Sequence, residues 1–213
     1  MTNDLKKPQL RAIQYFYVDG SFEFGFGLLC LILGVFFYVE TNVQGWLSTV
    51  VDSSLVLVMI GGAWLINRLI KQLKERLTWP RTGYLTYSRR SGRKLGWRLV
   101  VGMVSGGLIA AIATVLITAP NAQVATMPVL SGLLLGIVMV VIGWRTRLNR
   151  FHLLAGLSTA DGIAMGFSRM ENTTALAAYY IVFGLVLFAS GAWVLRSYLR
   201  QNPAEKEVLP DEQ

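Results

Sequence analysis

The sequence predicts an all-α integral membrane protein, and three observations support that fold class. Hydrophobic residues fill 54% of the 213 positions, and the mean hydropathy is +0.49. Charged residues make up only 15%, well below the roughly 25% of soluble domains. Several apolar runs approach about 20 residues, the length that spans a bilayer. The basic residues, which give a net charge of +8, cluster at the ends of these runs, a pattern that favours membrane headgroups over nucleic acid as the partner.

Five apolar runs are predicted as spans, and a sixth segment is ambiguous. The five are 22–39, 50–70, 99–119, 124–144 and 174–195, the fourth of them with Pro128 near its start, where a helix tolerates proline. The ambiguous segment, 151–168, is short and contains Asp161. A charge at the centre of a membrane helix costs about 2.5–3.5 kcal/mol on insertion scales, so hydropathy alone argues against this span.

The distribution of positive charge favours six spans. With the N-terminus inside, six spans place 19 of the 20 Lys and Arg residues on the inner side, and Arg169 is the exception. Five spans place 17 inside and three outside. We therefore predict six spans as three consecutive helical hairpins, with both termini cytoplasmic. The alternative is five spans plus a re-entrant or interfacial segment at 151–168.

The predicted domain organisation is a single bundle with two short flanking segments. Residues 1–21 form a cytoplasmic interfacial N-terminus. Residues 22–196 form the transmembrane bundle, with a basic inner loop at 71–98. Residues 197–213 form a cytoplasmic tail, which we predict to be disordered.

Short similar sequences close the second, fourth and sixth predicted spans. They read GAWLINR at 62–68, GWR at 143–145 and GAWVLR at 191–196. Repeated hairpins are a feature of many transporters, but a Trp followed by Arg is also what an aromatic belt and the positive-inside rule produce at any inner span end. The predicted interfacial anchors are Trp64, Trp79, Tyr84, Tyr87, Trp144 and Trp193.

Asp19 and Glu23 are acidic residues at the entry of the first span, in VDGSFEFGFG. Four positions apart, they share one face of a continuous helix, although Gly20 predicts a break just before the apolar run. Two neighbouring carboxylates repel each other, so a cation is expected beside them, either Arg81 or another inner-loop arginine. The pair is interpreted as a cation or proton site, a docking point for a partner, or a structural salt bridge that fastens the inner loop to the first span.

Asp161 is the one acidic residue that the six-span prediction places well inside the hydrocarbon. An intramembrane acid is a functional-site hypothesis by default; the alternative is a packing residue hydrogen-bonded to Ser158 and Thr159. His152 lies about 13–14 Å away along an ideal helix, so the two side chains do not share a metal ion. The sequence contains no G-x-S-x-G, H-E-x-x-H or Walker motif, and we predict no catalytic, cofactor or metal site.

The inner loop begins with an amphipathic continuation of the second span, RLIKQLKERL at 68–77. Its leucines are expected on one side, with Lys71, Lys74, Glu75 and Arg76 pointing away from them. Pro80 ends this helix. The turn that follows in LTWPRTGYLTY, 77–87, is predicted to hold the loop at the membrane face and to bring Arg81 to Asp19 and Glu23.

Two of these motifs together resemble a group of uncharacterised bacterial integral membrane proteins. They are D-G-x-x-E at residues 19–23 and K-E-R-x-T-[W/Y]-P-R-T-G-Y at 74–84. The resemblance covers the first half of the chain and implies the bacterial cytoplasmic membrane without implying an activity. We expect a non-enzymatic accessory or scaffold protein, with anionic lipid headgroups and other membrane subunits as partners. The alternative is a small transporter or channel that uses an intramembrane carboxylate for a cation or proton.

Overall fold

The computed structural model describes residues 17–78 and 124–202, and every regular element in these two ranges is helical. A short π-helical segment, Lys74–Thr78, continues the second helix. The five α-helices are α1 (Ser21–Asn42), α2 (Trp46–Leu73), α3 (Thr126–Thr146), α4 (Asn149–Gly166) and α5 (Asn172–Gln201).

Within 17–78 and 124–202, four helices are long and apolar enough to cross a membrane: α1, α2 with its continuation, α3 and α5. They coincide with four of the five apolar runs in the sequence, whereas the run 99–119 lies outside the described residues. The last helix continues to Gln201, five residues past the boundary at 196 that the sequence suggested. The chain is therefore a helical bundle of the membrane type.

The closest packing joins α1 to α5, which run antiparallel. Glycines at seven-residue intervals line the contact: Gly20, Gly27 and Gly34 on one side, Gly184 and Gly191 on the other. A Cβ atom added at Gly27 would lie 2.5 Å from the backbone nitrogen of Phe188. Backbones that approach this closely gain van der Waals contact without a hydrophobic driving force, as membrane helices commonly do.

A second close pair is the hairpin of α3 and α4, which turns through Arg147 in the left-handed region (φ 55°). Gly132 faces Gly162 in the half of the hairpin farther from the turn, and at the far end the Ala125 amide donates a 2.9 Å hydrogen bond to the Gly166 carbonyl. Thus α4 lies alongside the whole of α3. The four-residue glycine spacings in this part of the sequence serve contacts within the bundle.

Among the helices of 17–78 and 124–202, the most extensive contacts do not follow the predicted hairpins. The most extensive contacts, α1 with α5 and α3 with α4, join helices from different predicted hairpins. Both pairs meet in one core, whose largest members are Tyr179, Phe151, Phe183, Met139 and Leu187.

Four chain segments meet at one end of the bundle: the start of α1, the end of α2, the α3–α4 turn and the last turns of α5. We call this the charged end, because Asp19, Glu23, Lys74 and Arg150 lie there. The α1–α2 loop and the start of α3 lie at the opposite end.

Candidate functional site

Asp19 lies just before α1 and is buried at the charged end. Gly20 has a φ of 74°, so the backbone breaks between the carboxylate and the helix. The backbone amide and hydroxyl of Ser21 both donate to Oδ1 of Asp19, at 3.1 and 2.8 Å. The other oxygen, Oδ2, lies 3.1 Å from Nζ of Lys74, and the two side chains are only 1% and 5% exposed. Asp19 thus joins the start of α1 to the end of α2.

Glu23 lies in the first turn of α1 and has no exposed surface. Its Oε1 is 2.8 Å from Nε of Arg150, although the two atoms do not align as a hydrogen bond, so the contact is chiefly ionic. The Ser190 hydroxyl donates to Oε2 at 3.3 Å. One carboxylate in α1 therefore contacts both α4 and α5.

Arg150, in the first turn of α4, also holds the chain before α1. Its guanidinium donates to the backbone carbonyl oxygens of Tyr17 and Val18, the latter at 3.4 Å, and lies over the Phe151 ring at 5.4 Å. Burial raises the pKa of the Tyr17 hydroxyl above its ordinary value, and the positive charge of Arg145 opposes part of that rise.

The four charged groups of the charged end compensate one another. Two carboxylates face two cations, and the contacts connect α1 with α2, α4 and α5. Taking charges out of water costs several kcal/mol per ion, which close partners and additional hydrogen bonds must offset. Here each carboxylate has one cation and at least one hydroxyl donor. This arrangement joins helices, and both acidic side chains are already occupied by the chain itself.

The structure differs in part from what the sequence predicted for this cluster. Asp19 and Glu23 do lie beside cations, which are Lys74 from the end of α2 and Arg150 from the first turn of α4. The predicted break at Gly20 is confirmed, since Gly20 interrupts the helix and Asp19 and Glu23 therefore do not lie on one continuous helix. Arg81 lies outside the described residues, as do Trp79, Tyr84 and Tyr87, so the predicted contact of Arg81 with the carboxylates stays a prediction.

Lys74 is the residue that the sequence interpretation placed incorrectly. We expected it to point away from the apolar side of the amphipathic segment, but it is buried. The spacing of the sequence indicates that Lys74 is buried. Gly62, Ile66, Ile70 and Lys74 recur every four residues along α2 and its continuation, and all four are buried. Lys74 is the last position of the edge that packs on α1.

Asp161 lies apart from the charged end, eleven residues beyond Arg150 on α4. Its Oδ2 is buried and has no hydrogen-bond partner among the residues of the two described ranges. In the alternative interpretation Asp161 is a packing residue with Ser158 and Thr159 nearby, but in the described ranges these two hydroxyls bind other groups. The Ser158 hydroxyl donates to the Gly132 carbonyl at 3.1 Å and shares a 2.8 Å hydrogen bond with the Tyr179 hydroxyl, while Thr159 donates to the Ala155 carbonyl.

Of the tryptophans predicted as interfacial anchors, Trp144 and Trp193 lie on the outside of the bundle near the charged end, and Trp64 lies on the outside of α2, ten residues before Lys74. Trp64, Trp144 and Trp193 are 61%, 81% and 77% exposed. Within 17–78 and 124–202, no group of three His, Cys, Asp or Glu side chains is placed to hold a metal ion. The two features of chemical interest are thus the compensated cluster and the isolated Asp161.

Comparison with protein-family models, with curated proteins and with solved structures gives no match to this chain. The function is therefore argued from the geometry of the charged end and of Asp161.

Proposed function

We propose that this protein is a non-enzymatic scaffold or accessory subunit of the bacterial cytoplasmic membrane. The observation that supports this role best is the pairing of buried carboxylates with buried cations at the charged end. Asp19 and Glu23 are paired with Lys74 and Arg150 and fasten four helices together. A carboxylate that already has a protein cation and hydroxyl donors is a structural element and a poor site for a transported ion.

The proposed topology has six spans, with the charged end in the cytoplasm. Lys and Arg concentrate at this end, in agreement with the positive-inside rule. Although α4 is short and contains Asp161, it runs beside the full length of α3. Its 18 residues correspond to about 27 Å of helix, close to the roughly 30 Å of a hydrocarbon core.

The two ends of the segment 79–123 support the proposed crossing by the run 99–119, a span that the five-span alternative also contains. The first described range ends at Thr78, one turn beyond Lys74 at the charged end. The second begins at Val124, which lies beside Gly166 at the opposite end. A chain that joins opposite ends of the bundle crosses it an odd number of times, and the apolar run 99–119 is long enough for one crossing.

The proposed partners are anionic lipid headgroups and other membrane subunits. The helix α2 packs on the bundle along a narrow edge and exposes Val56, Leu57, Ile60 and Trp64 to the outside. Such a face suits contact with lipid or with a helix of another subunit. The basic residues lie towards helix ends beside exposed tryptophans. This distribution is typical of membrane proteins, and nucleic acid is not among the proposed partners.

A second candidate function, transport of a cation or proton, is favoured by Asp161. A buried carboxylate oxygen without a hydrogen-bond partner in the described part of the chain is costly inside a membrane. Binding a proton or cation would remove that cost. In this interpretation Asp161 carries the function, and the charged end is only structural.

Flux through proteoliposomes distinguishes the two candidates. For the scaffold role, we expect the purified protein to show no proton or monovalent-cation flux above that of empty liposomes. Asp161→Asn should then leave the background unchanged. Flux by the wild type that Asp161→Asn abolishes, with Glu23→Gln as the comparison variant, would reject the scaffold proposal and support transport.

A further inference from the structure

Along one exposed face of α5, the side chains change from apolar to aromatic to basic. A phospholipid has the same order of acyl chain, glycerol backbone and headgroup phosphate. The exposed positions are Val182, Leu185, Ala189, Trp193, Arg196 and Arg200. Their spacings of three and four residues place them on a single stripe of the helix. The stripe is apolar for three positions, continues with the tryptophan and ends with two arginines at the charged end.

The basic part of this stripe is a small depression. It has a volume of about 170 Å³ and is lined by Trp193, Arg196, Ser197 and Arg200. Two guanidinium groups one helical turn apart, with a hydroxyl between them, offer several hydrogen-bond donors to a single anion. Guanidinium groups bind phosphate through paired hydrogen bonds, which an ammonium does not reproduce.

The arginines of α5 differ from the basic residues at the corresponding end of α2. In α2, Arg68 lies over its own Trp64 ring at 5.4 Å, and Lys71 pairs with Glu75 at 3.7 Å. Among the residues that the structure describes, neither Arg196 nor Arg200 has an ion pair or a cation–π contact. The positive charge of α5 is thus available to an external anion.

We propose that this stripe binds one anionic phospholipid, with the headgroup phosphate held by Arg196, Arg200 and Ser197. Trp193 lies at the level of the glycerol backbone, and an acyl chain lies along Leu185 and Val182. From Val182 to Arg196 the helix rises about 21 Å, enough for an acyl chain and its headgroup. The inference uses the membrane placement proposed above and does not depend on the choice between scaffold and transporter.

The test is a binding titration of the full-length protein in a neutral detergent. The probes are dioctanoyl phosphatidylglycerol, dioctanoyl phosphatidylcholine and inorganic phosphate. The wild type should prefer phosphatidylglycerol. Arg196→Gln with Arg200→Gln should weaken this binding by about 30-fold and leave phosphatidylcholine binding unchanged. Arg196→Lys with Arg200→Lys should recover only part of the affinity, since the charge is kept but the paired hydrogen bonds are lost.

A matched control separates a defined site from diffuse charge attraction. Arg68→Gln with Lys71→Gln removes the same charge from the same end of the bundle, and the affinity for phosphatidylglycerol should fall by less than about threefold, because both residues already have partners. Equal losses in the two double variants would overturn the proposal. Full recovery by the two lysines would do the same, as would inorganic phosphate binding as tightly as the lipid.

A truncation tests whether the arginines of the depression bind the acidic sequence after residue 202 in place of a lipid. Removing residues 204–213 should leave the affinity for phosphatidylglycerol unchanged if the lipid is the natural ligand. A rise comparable to the loss caused by the arginine substitutions would show that the tail occupies the site, and would contradict the proposal. Failure of the lipid site leaves the scaffold proposal intact, since flux tests that role separately.

Discussion

At the scale of single residues, the contacts of Glu23 explain why the bundle retains charges in its interior. This carboxylate has no exposed surface, and its stabilising partners are one guanidinium and one hydroxyl from two other helices. Removing either member of a buried ion pair leaves the other without compensation, whereas removing both leaves a neutral site. A double-mutant cycle therefore measures the interaction free energy between the two side chains.

We predict strong coupling between Glu23 and Arg150. Arg150→Gln should lower the free energy of unfolding in detergent by about 3–5 kcal/mol, because Glu23 then remains buried without its cation. Adding Glu23→Gln should recover part of that loss. The control is Arg200→Gln, which removes an exposed arginine and should change stability by less than about 0.5 kcal/mol. Additive effects of Glu23→Gln and Arg150→Gln would show that the two groups do not interact.

The sequence identified the acidic half of the charged end but not its full set of partners. The positions of Asp19 and Glu23 at a span entry were sufficient to expect a cation. The identity of that cation depends on how helices that are far apart in the sequence pack together, since Arg150 is more than 120 positions after Glu23 in the chain. The same cycle with Arg81→Ala in place of Arg150→Gln tests the prediction that Arg81 also contacts these carboxylates.

At the scale of helices, glycine spacing proved more informative than hydropathy. In α1, Gly25 and Gly27 are two positions apart and serve opposite contacts. A Cβ at Gly25 would lie 2.7 Å from the Ile70 side chain of α2, while Gly27 meets the backbone of α5. The G-x-G sequence is thus explained by two helix contacts on different faces. The seven-residue spacing on α1 and α5 was visible in the sequence, but periodicity alone does not show which helix is the partner.

Gly27→Ala tests the close approach of α1 and α5. The added Cβ would lie 2.5 Å from a backbone nitrogen, a contact that cannot be relieved by rotating a side chain. We expect a loss of about 1–3 kcal/mol in stability, measured by unfolding in detergent. Gly61→Ala is the matched control, because no atom lies within 4 Å of its Cβ position. It should be neutral or stabilising by about 0.5–1 kcal/mol.

Equal effects of the two alanine substitutions would contradict the packing of α1 on α5.

The helix α4 shows a second limit of prediction from the sequence. Hydropathy alone excludes it as a span because it is short and contains Asp161, but the inner and outer distribution of Lys and Arg favoured it. In the structure, glycines allow α4 to lie against α3, so that polar residues such as Ser158 pack against protein.

At the scale of the whole molecule, the described residues form a bundle with one charged end and two exposed tryptophans, Trp144 and Trp193, near it. The sequence predicted the membrane class and most helix boundaries from composition and the length of apolar runs. It did not predict that the first and last helices pack most closely, because apolar runs show no preference for a partner. The order in which helices meet is set by small residues and by the buried ion pairs.

Cysteine-accessibility labelling tests the central claim of six crossings most directly. A variant with Cys30→Ala receives one new cysteine at a time: Ser91→Cys, Ala204→Cys, Gln44→Cys or Asn121→Cys. In intact cells, a membrane-impermeant maleimide should label positions 44 and 121 from outside and reach 91 and 204 only after permeabilisation. Labelling of position 204 from outside, with position 91 still protected, would contradict six spans and would make the Asp161 segment re-entrant or interfacial.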